Sequence, residues 1–115
     1  MCRTLLSVSL ATLLSAGVAS ASPFQTEEMR EKTRSLGFTV GNQFACAEAA
    51  ARETIEEEAH IIFDFMLKDV GSNIAWVFAT AAGYGASVQK TEIDCAETAK
   101  NWAEIRADFG IEDGE

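Results

Sequence analysis

The chain has 115 residues, with 18 Asp and Glu against nine Lys and Arg, a net charge of −9, and 48% hydrophobic residues. That length suits one domain. The acidic balance excludes a nucleic-acid binder that neutralises phosphates with clustered Lys and Arg, and it disfavours adhesion to anionic lipid.

Residues 1–21 carry the three parts of a cleavable secretory signal peptide. Arg3 forms a short basic region, an apolar run follows from Leu5 to Val18, and Ala19-Ser20-Ala21 is a small-residue cleavage site. Export to the bacterial periplasm with cleavage after Ala21 is expected. The run is too short for a membrane anchor, and it is interrupted by Ser7, Ser9, Thr12, Ser15 and Gly17. Cleavage would leave a single domain, residues 22–115. It would also remove Arg3, so that eight Lys and Arg remain against 18 Asp and Glu, a net charge of −10. Cys2 leaves with the leader. Cys46 and Cys95 are then the only pair, in an oxidising compartment, and a disulfide between them is expected. Closing a loop of roughly 50 residues stabilises a domain by about 4 kcal/mol in the chain-entropy account.

The first element after the leader reads as a helix from Ser22-Pro23 to Gly37. Glu27 and Glu28 sit in its early turns, and Arg30, Lys32 and Arg34 lie toward its end, in the sense the helix dipole favours. Its apolar residues are mainly Phe24, Met29 and Leu36, so a loosely packed, fraying helix is expected.

Between Gly41 and Gly71, Phe44, Ala51, Ile55, Ala59, Ile62 and Met66 recur at three- and four-residue steps, with Glu48 as the exception at one step, the signature of one face of a long second helix. Glu53, Glu57, His60 and Asp64 lie on the opposite face. From Ile61 to Leu67 apolar residues cover most of the circumference, which predicts burial on more than one side. Helical phase sets Cys46 on the polar side, so either this helix starts after Cys46 or a neighbour covers that side.

A third helix is expected from Ser72 or Asn73 to Gln89, in a stretch with no charge between Asp69 and Lys90. Its Ser, Thr, Asn and Gly content makes it less apolar than a membrane-spanning helix, and a buried position central to a bundle is expected. The spacing of Ala79, Gly83 and Ser87 also suits helix association in lipid. Ile74, Val77, Phe78, Ala81 and Val88 form one face. Trp76 falls off that face and marks a contact with the first helix or with a partner.

The fourth helix is capped by Thr91 or Asp94, places Cys95, Ala99, Trp102, Ile105 and Phe109 on one face, and ends at Gly110. No stretch alternates with period two. The fold class is all-α: a small up-down bundle of three main helices plus a weaker N-terminal helix, closed by one disulfide whose cysteines meet at one end.

Chemistry-bearing patterns are sparse. Glu57 and His60 form a Glu-x-x-His step, and with Glu53 and Asp64 they are weak metal-ligand candidates. Di-iron bundles need two such steps and further carboxylates facing an interior, so a solvated acidic face without metal is the expectation. There is no Cys-x-x-Cys-His for haem, no phosphate-binding loop, and no Ser or Cys placed for the single His. No catalytic residue and no cofactor is expected. The excess apolar circumference instead makes Phe63, Phe65, Trp76 and Tyr84 candidate partner contacts. A non-enzymatic protein that binds another protein, or a second copy of itself, through an apolar helix surface is the expected function. A small membrane-associated accessory subunit using Val70 to Gln89 is an alternative.

In its small size after cleavage, in Cys46 and Cys95 about fifty positions apart, and in the acidic-basic helix after the second cysteine, the chain resembles periplasmic acid-stress chaperones. The resemblance implies a dimer that dissociates in acid and exposes apolar surface to unfolding clients. Protonation of 18 carboxylates would swing the net charge from negative to positive.

Overall fold

A computed structural model describes residues 26–112. The expected signal peptide and cleavage site, with Ser22-Pro23 and Phe24, lie outside the described residues. Four α-helices account for most of the rest: α1 (Glu27–Cys46), α2 (Ala49–Asp69), α3 (Ser72–Ala86) and α4 (Cys95–Asp108), with a single 3-10 turn at Lys90–Glu92. The all-α bundle closed by one disulfide is borne out.

Local chemistry sets most of the boundaries. The Thr26 hydroxyl oxygen accepts a hydrogen bond from the Met29 N–H at 3.1 Å and caps α1, and Glu27 and Glu28 fill its first turn. Asp94 caps α4 in the same way, accepting from the Glu97 N–H at 3.0 Å. Gly71, with φ +140°, lets the chain reverse between α2 and α3, and Gly110, with φ +69°, follows the end of α4. α3 stops at Ala86, three residues short of Gln89.

The first two helices differ from expectation. α1 does not stop at Gly37; it runs through both Gly37 and Gly41 to Cys46, and α2 begins only at Ala49. The break falls at Ala47 and Glu48, both in extended conformation. Nor is α1 loose. Thr33, Gly37, Val40, Gly41, Asn42 and Ala45 are all buried, and its main neighbour is α3. The reason lies in the glycines. A Cβ built on Gly37 would come within 2.6 Å of the Phe78 carbonyl oxygen, one on Gly41 would strike the Ala82 carbonyl, and one on Gly85 would strike the Phe38 carbonyl. Each helix therefore offers bare backbone at the crossing, and the two main chains pack directly. A helix with few large apolar side chains is held by proximity instead.

The core is built from all four helices: Val40 of α1, Ile55, Ile62 and Met66 of α2, Ile74, Ala75 and Phe78 of α3, and Trp102 of α4. α2 contributes a narrower stripe than its sequence suggests. Ile61, Phe65 and Leu67 are 50%, 46% and 42% exposed, so the apolar half of α2 is covered on one side only. Phe44 belongs to α1, and Ala51 is exposed.

Two cross-links tie the remaining helices in. Cys46, the last residue of α1, and Cys95, the first of α4, form a disulfide with Cα atoms 5.8 Å apart. Cys46 thus ends the first helix rather than opening the second, which resolves its discordant phase. Arg106 of α4 donates from Nε and Nη2 to the two carboxylate oxygens of Glu58 of α2, each at 2.9 Å, in a bidentate pair with both side chains less than a fifth exposed. Phe65 of α2 meets Phe109 edge to face, ring centres 5.5 Å apart.

Candidate binding face

α3 is apolar on the side that meets α1 and α2, and wholly uncharged on the side that meets water. Ile74, Ala75, Val77, Phe78, Ala81 and Gly85 are buried. Asn73, Trp76, Thr80, Gly83, Tyr84 and Ser87 are all exposed. At 100° per residue, those six fall within an arc of roughly 100°. Trp76 is 70% exposed and Tyr84 68%, the two most exposed large hydrophobic residues among those described. Thr80 stands between them, its hydroxyl donating back to the Trp76 and Val77 carbonyls at 3.0 and 3.2 Å.

The edges of this face differ. On the α1 side, Tyr84 leans on Phe38 with ring centres 5.7 Å apart. An open cleft of about 480 Å³ runs between the two helices there, lined by Glu31, Arg34, Ser35, Phe38, Thr80 and Tyr84. Arg34 is engaged with Glu31 at 2.7 Å. On the α2 side, two adjoining clefts of about 200 and 300 Å³ share Glu56, Ala59 and Ala82. α3 lines them with Phe78, Ala79, Ala82, Gly83 and Ala86.

Compared with models of protein families, with curated proteins and with solved structures, the chain finds no match. What the face can bind follows from its own chemistry.

The four candidate contact residues do not form one surface. Trp76 and Tyr84 share the outer face of α3. Phe63, half-buried, lines the cleft between α2 and α3 beside His60 and Phe78. Phe65 lies elsewhere, near Leu36 and Lys32 of α1 and against Phe109. Glu53, Glu57, His60 and Asp64 are exposed on α2, and among the described residues no three His, Cys, Asp or Glu side chains converge to hold a metal ion. Among the described residues, no helix is long and apolar enough to cross a membrane.

Phe38 and the crossing glycines were not singled out from sequence. The available signal was the four-residue spacing of Gly37 and Gly41, which places two backbone gaps on one helix face and Phe38 beside them.

Proposed function

We propose that the protein acts in the periplasm, without catalysis, by binding protein through the uncharged outer face of α3. The observation that carries this reading is the pairing of Trp76 and Tyr84 on one exposed, charge-free helix face of a strongly acidic chain. Exposed Trp and Tyr are costly to leave in water and are the residues that dominate binding energy at protein interfaces, whose centres are depleted of charge. The signal peptide supplies the compartment, and the disulfide suits it.

The test is site-specific photo-crosslinking in cells. A photoreactive residue in place of Tyr84 is expected to yield a covalent protein adduct in the periplasmic fraction, and one in place of exposed Glu57 is not. Equal adduct yields from both positions, or none from Tyr84, would sink the reading.

A second reading, holding of unfolding proteins in acid, is favoured by the Glu58–Arg106 pair. It ties α2 to α4 with both side chains less than a fifth exposed, so the hold of α4 on α2 depends on a charge pair. Release of α2 would uncover Ile55, Ile62 and Met66. Protection of an aggregating client that is the same at neutral pH and at about pH 2 to 3, where carboxylates are protonated, would exclude it.

A further inference from the structure

We infer that the occupant of the outer face of α3 is the same face of a second copy, the two helices packing antiparallel about a two-fold axis near Thr80. This rests on the reading of that face as a protein-binding surface and specifies its partner.

The spacing of the exposed residues supports a helix partner. Asn73, Trp76, Thr80, Gly83 and Ser87 follow one another at steps of three, four, three and four, the seam by which one helix packs along another with knobs entering holes. A hole is framed by four residues of the facing helix. Thr80, Gly83, Tyr84 and Ser87 frame one whose floor is a glycine, and a Cβ built on Gly83 meets nothing within 4 Å. The only bulky knob on the seam is Trp76.

Symmetry then selects the orientation. Trp76 lies one turn before Thr80, and Gly83 about one turn after it. An antiparallel two-fold through Thr80 puts each Trp76 over the other copy's Gly83, and one operation makes both contacts, as an isologous interface requires. It also brings Asn73 opposite Ser87 at both ends, so the rim of the seam is polar against polar. A parallel pair would set indole against indole and leave a gap at glycine against glycine.

Charge points the same way. Each copy carries a net charge of −9, or −10 without the leader, so two copies repel wherever their acidic surfaces approach. Val70 to Gln89 is the longest charge-free stretch among the described residues, and α3 is its helical part. A single helix pair buries less than the roughly 800 Å² per partner of a standard interface, so the pairing is weak and depends on concentration.

Sedimentation velocity over a concentration series up to about 1 mM tests this. The purified wild-type protein is expected to pass from monomer to dimer. Thr80 meets its own copy at the axis, so Thr80→Glu alone and Thr80→Lys alone are each expected to stay monomeric, and their equimolar mixture to pair again, at least about tenfold more tightly than either variant with itself. Trp76→Ala is expected to weaken pairing by about tenfold or more, and Glu57→Lys on α2 to leave its geometry unchanged. Circular dichroism checks that the Thr80 variants keep the helical fold, which an exposed position allows. Wild-type protein that stays monomeric throughout, or charge variants that dimerise like wild type, or a mixture that does not recover pairing, would overturn the proposal. A monomeric wild type whose photoreactive residue at position 84 still captures a different protein overturns the second copy and leaves the binding face standing. A monomer with no adduct there removes both.

Discussion

Asn42 and Gly85, 43 residues apart in the chain, are joined by a buried hydrogen bond in which the Asn42 Nδ2 donates to the Gly85 carbonyl oxygen at 2.8 Å. The bond sits where α1 and α3 come closest, beside the contacts that Gly41 makes with Ala82 and Gly85 with Phe38. Because the glycines let the backbones meet, a short amide side chain can span the gap. Asn42→Ala removes the donor. The Val88 N–H, 3.3 Å from the same carbonyl, keeps that oxygen from being left wholly unpaired. A loss of about 1 kcal/mol is expected, read from the midpoint of urea unfolding with an unchanged slope.

The glycines separate into two kinds by what a methyl group would meet. Gly41→Ala drives a Cβ into the backbone of Ala82 and Ala86, which no rotamer change can relieve, and a destabilisation of about 3 kcal/mol or more is expected. Gly83→Ala meets open space in the last turn of α3, and a gain of up to about 1 kcal/mol is expected from helix propensity. Thermal melts of dilute protein, where association does not contribute, compare the two. Equal effects would contradict the close crossing of α1 and α3.

The Glu58–Arg106 pair is positioned to matter for stability. Its side chains are 13% and 18% exposed, and its bonds are bidentate; Glu28 and Lys32 are nearly four-fifths exposed at 3.6 Å. Glu58→Gln is expected to cost about 2 kcal/mol, because it replaces a charge-assisted bidentate pair with a neutral contact at a partly buried guanidinium. Glu28→Gln should fall within about 0.5 kcal/mol of wild type. A double-mutant cycle of Glu58→Gln with Arg106→Met isolates the coupling, expected at about 1 to 2 kcal/mol.

Reduction of Cys46–Cys95 opens a link across a sequence separation of 49 residues. The expected loss is about 4 kcal/mol, a large share of the stability of a domain this small. Guanidinium titrations with and without reductant measure it. A midpoint that does not move would mean that the noncovalent contacts of α4, Trp102 and Arg106 among them, hold it without the disulfide.

Periodicity and punctuation made much of this architecture legible. α3 and α4 are readable because Ile74 and Phe78, and Trp102 and Ile105, stand at helical spacing and because Gly71 and Gly110, both at positive φ, mark real helix boundaries. The boundary between α1 and α2 was not. Glycine usually ends helices, so Gly37 and Gly41 read as a stop and a start, whereas here the packing of α3 against their bare backbone outweighs their low helix propensity. The actual break at Ala47-Glu48 has no Gly or Pro to announce it. Only the discordant phase of Cys46 hinted that the chain turns after it. For the binding face, Trp76 stood out because it falls off the core stripe. Phe63 and Phe65 could not be sorted from sequence, since a segment apolar on nearly all sides does not disclose which of them its neighbours cover.

The close fit of α1 to α3 has a kinetic consequence. The principal interface of the molecule joins helices separated by all of α2, so the most intimate contact is also a long-range one. α1 carries two interior glycines and few apolar anchors, and in isolation it is a poor helix. Its order waits for a partner that is made some forty residues later and that must first be brought back across the intervening loop. Folding is therefore expected to be slower than for a bundle whose neighbours in space are neighbours in sequence, with α1 and α3 condensing together as its rate-limiting event.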